Sequence, residues 1–329
     1  MRTITYLQAI NEALDEALAQ DERVFLLGED IGIYGGGFGA TQGLQEKYGK
    51  QRVRDTPISE SAIAGVAVGA AMTGMRPVME LQFSDFITVA MDQLVNQAAK
   101  IHYMYSGKAT VPLVMRTASG SGTGAAAQHS QSLENWMAHI PGLKVIQPSN
   151  AYDAKGLLHA AIKDNNPVMF YEHKLLYKTT GNVPDEPYVL PIGVADIKRN
   201  GTDVTIIATG IMVNKALEAA DILKEKNISV EVIDPRTLVP LDQRTILTSV
   251  EKTKRVIVAT EAVKNSGFSA EITSIIAESK VAMKLHASIV RLGGEFVPMP
   301  AQKILEAHAT PQVTSLVKAV KQIMSEIEV

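Results

Sequence analysis

The chain contains no cysteine among its 329 residues. Disulfides, thiolate-held metals and CxxC redox chemistry are therefore excluded. It also lacks a surplus of either charge: 32 basic residues stand against 35 acidic ones, for a formal net charge of -3, and the two signs are well mixed. Neither a nucleic-acid face nor a polybasic membrane surface is expected from such a balance, which leaves small molecules and proteins as partners. No apolar run approaches the roughly 20 residues of a membrane span. The N-terminal MRTITYLQAINEALDEAL takes on acids by Glu12 and Asp15 and reads as an amphipathic helix capped near Thr3 or Thr5, with no signal or transit pattern. A cytoplasmic protein without membrane attachment is the expectation. His129, His139, His159 and His173 form no HExxH pairing, and no GxSxG elbow is present, so zinc-peptidase and serine-hydrolase chemistry are disfavoured.

What the chain does have is alternation. Short β-rich runs such as VFLLGED, PVMELQ, VPLVMR, LKVIQPSN and PVMFYEH alternate with helical periods such as VAMDQLVNQAAKIHYM and AYDAKGLLHAAIK. The pattern predicts an α/β domain with a mostly parallel sheet. Pro184, Pro187 and Pro191 punctuate a stretch poor in periodic apolar residues. Residues 1–175 are thus read as one domain, 176–202 as a linker and 203–329 as a second α/β domain, from DVTIIATG to the helix SLVKAVKQIMSEI.

Three places invite a chemical reading. In DTPISESAIAGVAVGAAMTGMR, residues 55–76, Glu60 heads a helix of Ala, Gly, Val and Met. Asp55, Thr56 and Ser59 suit a helix entry, and a first-turn carboxylate suits the helix dipole. Gly65 and Gly69 leave one flank without bulk, which predicts close approach of another backbone and a carboxylate carried into a dry interface, where it needs a specific partner. In RTASGSGTGAAAQHSQ, residues 116–131, glycines lead to His129 between polar neighbours, a loop able to carry an imidazole to a cleft. Glu29 in LLGEDIG stands at a strand end, where acids either line the crevice of an open sheet or sit solvated in turns. The GGGFGA run at 35–40 lacks a strand leading into it and is read as a flexible loop, not a dinucleotide fingerprint.

The order of DTPISE, ELQFSDFITVAMDQLVNQAAK, AAAQHSQSLENW, PGLKVIQPSNAYDAKGLL and VEVIDPRTLVPLD resembles the β subunit of the E1 component of thiamine diphosphate-dependent 2-oxo acid and acetoin dehydrogenases over nearly the whole chain. The resemblance implies a pyrimidine-binding N-terminal domain and a transketolase-like C-terminal domain. Glu60 is implied to hydrogen-bond the cofactor's aminopyrimidine, with Ile58 of the same ISE motif beside the cofactor and Phe86 of QFSDF stacked on the ring. His129 is implied to stabilise substrate-derived intermediates and assist transfer to the lipoyl group, and Glu29 to join a chain of carboxylates linking paired sites. A structural potassium ion held by backbone oxygens is implied at Leu113, Ala161, Ile162, Asp164 and Asn166. The GDG…N pattern that in this superfamily holds magnesium and the diphosphate does not occur in the chain. An α subunit is therefore expected to supply Mg2+ and half of the thiamine diphosphate site, in an α2β2 tetramer docked on a lipoyl-bearing E2 core. The tracts RTASGSGTGAAAQHSQSL and TTGNVPDE look more like acetoin and pyruvate enzymes than branched-chain ones. A branched-chain E1 β subunit and a non-catalytic organising subunit remain the alternatives.

Overall fold

A computed structural model describes residues 1–325. The chain divides into two compact units, Met1–Ser119 with Trp136–Ile192, and Gly120–Asn135 with the chain from Gly193 onward. Strands of the first unit are β1 (Arg2–Thr5), β2 (Val24–Gly28), β3 (Val53–Asp55), β4 (Arg76–Leu81), β5 (Val114–Ser119), β6 (Lys144–Ile146), β7 (Val168–His173) and β8 (Thr180–Val183). Six of these lie side by side in the order β6-β7-β5-β4-β2-β3, every neighbouring pair parallel. Every residue of β2, β5 and β7 is buried. That burial explains the apolar runs VFLL of β2 and VMFY of β7, since a parallel strand covered by helices on both faces has no solvent side.

The helix Tyr6–Gln20 starts at Thr5, whose hydroxyl and the side chain of Gln8 close a reciprocal capping box, while Thr3 lies in β1. Asn150 caps the helix Ala151–Lys163 by accepting from the amide of Asp153. Between these helices the fully buried Lys155 is neutralised by Glu12 at 3.1 Å and Glu16 at 2.7 Å.

The expected linker is not featureless. Strand β8 pairs antiparallel with β1, from Arg2↔Val183 to Thr5↔Thr180. Backbone pairing at an exposed edge requires no apolar period, which is why composition suggested a linker there. Tyr188 stacks on Tyr152 and donates to its carbonyl at 2.6 Å, and Tyr188 and Leu190 fill the space left by the missing side chain of Gly156.

The second unit carries β9 (Asp196–Arg199), β10 (Val204–Ala208), β11 (Val230–Asp234), β12 (Thr237–Val239), β13 (Val256–Val263) and β14 (Val290–Gly294). One sheet runs β14-β13-β10-β11-β9, parallel except for β9, which again comes from the stretch read as linker. Its core joins Ile206, Val232 and Ile257 to Leu223 of the helix Ile211–Lys224 and to Leu316, Val320 and Ile323 of the helix Val313–Ser325. The last two residues of the expected helix, 326 and 327, lie outside the described residues. The α/β class with mostly parallel sheets is as the alternation predicts.

Candidate active site

Two acids hang from the C-terminal ends of neighbouring strands. Gly28 and Asp55, the last residues of β2 and β3, are register partners, and the amide of Thr56 donates to Gly28 O at 3.0 Å. Glu29 follows the first strand at once. Glu60 follows the second after a short turn and opens the helix Glu60–Met72. Both are 8% exposed. The strand must pass close to β4 here, because a Cβ on Gly28 would lie 2.9 Å from Glu80 O. Burial, the Glu60 carboxylate and then Asp30 raise Glu29 above the usual carboxylate range. Its Oε1 is buried without a hydrogen-bond partner among the described residues. Buried polar atoms are nearly always hydrogen-bonded, so this oxygen has an acceptor position to spare. Ile58, in the turn before the helix, is 83% exposed.

The close backbone approach expected at Gly65 and Gly69 is not made by any of the described residues. A Cβ at Gly65 would reach only Gln93, at 3.7 Å, and one at Gly69 would meet nothing within 4 Å among the described residues. Gly65, Val66, Gly69 and Met72 instead form an open face.

Phe86 ends the short turn Ser84–Phe86 after β4 and is half-buried. An aromatic series runs from it through Phe83 (6.1 Å, edge-on) and Phe38 (5.7 Å) to Tyr177 (5.2 Å) and Tyr6 (6.1 Å). Phe38 belongs to the glycine-rich loop, which is held at several points. Gly32 N donates to Asp55 Oδ1 at 2.6 Å, Thr41 Oγ1 to Ile31 O at 2.7 Å and Gly36 N to Asp30 O at 2.8 Å. Gly36, at φ +86°, faces Glu80 Oε1 so closely that a Cβ would stand 3.1 Å away.

Behind this loop lies an ionic cluster that the sequence reading missed. Arg116 is buried on β5; its Nε and Nη2 donate to Glu172 of β7 at 2.7 and 2.9 Å, and Nη1 donates to Glu80 of β4 at 2.7 Å. Tyr177 donates to Glu172 Oε2 at 2.9 Å. Burial works against the guanidinium charge, but the two carboxylates outweigh it and hold Arg116 protonated. The available signal was a charged residue next to apolar ones in each of three strands: Glu80 in RPVMEL, Arg116 in VMRTAS and Glu172 in VMFYEH.

His129 belongs to the second unit, on a loop turned at Gly120, Gly122 and Gly124 and again at Ala126, all with positive φ. The ring is half-buried, and the His129 amide donates to Ala126 O at 3.4 Å. Two buried acids, also missed, receive the start of the loop. Glu261 Oε1 accepts from Ser121 N at 2.7 Å and Ser121 Oγ at 3.1 Å, while Glu306 accepts from Gly122 N at 2.6 Å and Gly124 N at 3.1 Å. The loop borders a cavity of about 420 Å³ lined by Ala127, Ser130, Leu133, Glu261, Phe296 and Met299 among others.

The positions nominated for potassium lie around the end of the helix Ala151–Lys163. Leu113 O accepts from Val168 N at 2.8 Å and Ala161 O from Asp164 N at 3.2 Å. Arg76 Nη1 donates to Ile162 O at 2.9 Å and to Asp164 O at 3.0 Å. The Asp164 carboxylate accepts from Asn166 N and Nδ2 at 2.8 Å and pairs with Lys144. The Arg76 guanidinium thus already engages two of the nominated carbonyls, Ile162 O and Asp164 O.

Residues 2–180 match the transketolase pyrimidine-binding domain and residues 193–316 the transketolase C-terminal domain. The chain is 46% identical to the β subunit of acetoin:2,6-dichlorophenolindophenol oxidoreductase from Bacillus subtilis, over 99% of this chain and 98% of the relative. It is 47% identical to the 2-oxoisovalerate dehydrogenase β subunit of the same organism, over 94% of each. The mitochondrial pyruvate dehydrogenase E1 component β subunit of Homo sapiens is 44% identical, over 98% of this chain and 91% of that one. A solved split-gene transketolase, an inactive β4 tetramer, shares the fold with a TM-score of 0.78 at 23% identity, over 99% of both chains. Carrying both transketolase-type domains in order, and near-half identical to these subunits along its whole length, the chain belongs to the family of E1 β subunits of the 2-oxo acid and acetoin dehydrogenases.

Proposed function

We propose that the chain is the catalytic β subunit of an E1 component that, with an α subunit, uses thiamine diphosphate to decarboxylate pyruvate or cleave acetoin and passes the acyl unit to a lipoyl-bearing E2. The observation that carries this reading is the pair Glu29 and Glu60, two buried carboxyl groups at the C-terminal edge of a parallel sheet, one with an orphaned oxygen. Open α/β sheets bind ligands at that edge.

Thiamine diphosphate would supply the nucleophilic and electron-sink chemistry that cleavage next to a carbonyl requires. The chain's own residues do the rest of this subunit's work. Glu60 would hydrogen-bond the pyrimidine nitrogen and exchange a proton with it. Glu29, held protonated to higher pH than an ordinary carboxyl group by burial and by the Glu60 charge, lowers the negative charge that this edge carries beside Glu60. Phe86 and Ile58 pack against the ring, and the Arg116 cluster fixes Glu80 and the glycine-rich loop behind it. His129 places a proton donor against the oxygen of the reacting substrate.

The open face of Gly65, Val66, Gly69 and Met72 suits close approach by the α subunit in an α2β2 assembly. The missing GDG…N pattern assigns Mg2+ and the diphosphate to that partner. A structural potassium ion at Leu113, Ala161, Ile162, Asp164 and Asn166 belongs to the same reading, as does a cytoplasmic location. Identity does not rank the substrates: the 2-oxoisovalerate relative stands at 47%, beside 46% for the acetoin relative. A branched-chain substrate is accordingly the second reading.

The test is dye reduction by this chain co-expressed with its α subunit, supplied in turn with pyruvate, acetoin and 2-oxoisovalerate. Turnover that requires both chains and thiamine diphosphate is expected, and the preferred substrate identifies the enzyme. A cofactor-loaded tetramer inert with all three would overturn the substrate assignment.

A further inference from the structure

The geometry points to Glu306, assisted by Glu261, as the positioning residue for His129: a carboxylate in the C-terminal unit that clamps the backbone of the histidine loop. The inference rests on the reading of His129 as a group that acts on substrate.

Glu306 sits on the helix Lys303–Ala309 and is 2% exposed, so its carboxylate must be met by donors. Those donors are main-chain amides of the loop. Gly122 N lies 2.6 Å from Oε1, and Gly124 N lies 3.1 Å from Oε2 and 3.4 Å from Oε1. Glu261 of β13 takes the preceding amide, Ser121 N, at 2.7 Å. Three amides can turn toward two carboxylates only because Gly120, Gly122 and Gly124 adopt positive φ, a region that costs most other residues energy. Successive amides converging on an anion form a nest, and hydrogen bonds to an ionised acceptor are stronger than neutral ones. The glycine run read from sequence as a carrier for the imidazole is thus a docking element for two acids 140 and 184 residues away.

The clamp ends five residues before the imidazole. Between them, Ala126 at φ +61° and the amide of His129 bonded to Ala126 O make a second turn. The path from clamp to ring is short and holds two fixed points, so releasing the clamp lets the ring drift. A misplacement of about 1 Å is enough to cost roughly a hundredfold in rate. Glu306→Gln is the informative change because it keeps size and shape. One carboxylate oxygen becomes an NH2 group facing a backbone N–H, so at least one clamp bond is lost.

The experiment uses the α/β complex and four versions of this chain: wild type, Glu306→Gln, His129→Ala and the double variant. Hydrogen exchange of the segment 120–131 reports the clamp directly. Exchange about tenfold faster in Glu306→Gln is expected, from the loss of one charge-assisted bond. Steady-state turnover reports the route. A lower kcat with KM nearly unchanged is expected, with the double variant no slower than His129→Ala alone, since residues acting through one another are not additive. Glu306→Asp, which keeps the charge but shortens the reach, should fall between wild type and Glu306→Gln, and it replaces Glu306→Gln should that variant fail to assemble. Unchanged exchange in Glu306→Gln would overturn the clamp. Faster exchange with losses that multiply in the double variant would overturn the route through His129. Faster exchange with a fully active His129→Ala complex would instead overturn the reading of His129 on which the inference rests.

Discussion

Glu29 and Glu60 are both buried beyond the ends of two register-paired strands, and the charge on Glu60 is one of the causes that keep a proton on Glu29. Burial and the neighbouring Glu60 charge thus act together on Glu29, which makes Glu29 the member of the pair that holds its proton to higher pH. Replacing Glu29 with Gln, which keeps its size and a neutral polar group beside Glu60, should therefore reduce turnover of the α/β complex only modestly. Glu29→Ala, which leaves a gap, should cost about tenfold or more, since a buried partner left unsatisfied loses roughly 1–3 kcal/mol. Steady-state rates of the two variants check this, and equal rates would contradict it.

The same pair gives stability a pH dependence of known sign. Folded Glu29 holds its proton above the ordinary value of 4.5, so the native state binds more protons than the unfolded chain between 4.5 and the raised value. Stability from this group is complete below 4.5 and declines as pH rises through that window. Glu29→Gln removes the decline. Thermal unfolding followed from pH 4.5 upward should show a smaller loss of Tm in the variant than in the wild type; parallel curves would contradict the assignment.

Arg116 tests the buried ionic cluster. All three of its guanidinium nitrogens are engaged, by Glu172 and Glu80, and it is 2% exposed. Arg116→Met leaves Glu172 fully buried with only Tyr177 as donor. Breaking one side of such a pair typically costs about 3–5 kcal/mol, to be read from urea unfolding. The triple change that also turns Glu172 and Glu80 into Gln should recover part of that loss, since the stranded charges go with it.

Glycines at positions 69 and 156 should respond in opposite ways to alanine. At Gly156 the new Cβ would lie 2.6 Å from Leu190 Cγ and Tyr188 Cε2, so overpacking of about 1–3 kcal/mol is expected. At Gly69 the helix face is open, and alanine should stabilise the isolated chain by about 0.5–1 kcal/mol through helix propensity. In the presence of the α subunit the sign should reverse, with weaker assembly measured by sedimentation. Unimpaired assembly of Gly69→Ala would remove this face from the interface.

Particular residues show how much was legible in the sequence. The buried strands β2, β5 and β7 announced themselves through short apolar runs, VFLL, VM and VMFY, because a strand covered on both faces has no solvent side. Glu60 and Glu29 were visible because a carboxylate next to an apolar run is conspicuous. Strand β8 was not, since an edge held by main-chain hydrogen bonds has no side-chain period. Arg116, Glu80 and Glu172 come together only through strand order, and Glu306 reaches Gly122 across 184 residues, so neither local spacing nor composition marks them as partners. The open side of the helix Glu60–Met72 was legible as a small-residue flank, but whether this chain covers it required the fold.

The measurement that bears most directly on the central claim is the turnover of the α/β complex carrying Glu60→Gln at saturating thiamine diphosphate. Gln keeps the hydrogen-bonding length and removes the proton-sharing carboxyl group. The account predicts that kcat falls by about a hundredfold or more, within the range that positioned acid–base groups contribute, while the tetramer still forms. A Glu60→Gln complex working within about twofold of wild type would contradict it, since an acid that serves only as a helix-terminal charge contributes about 0.3–1 kcal/mol and nothing to the chemistry.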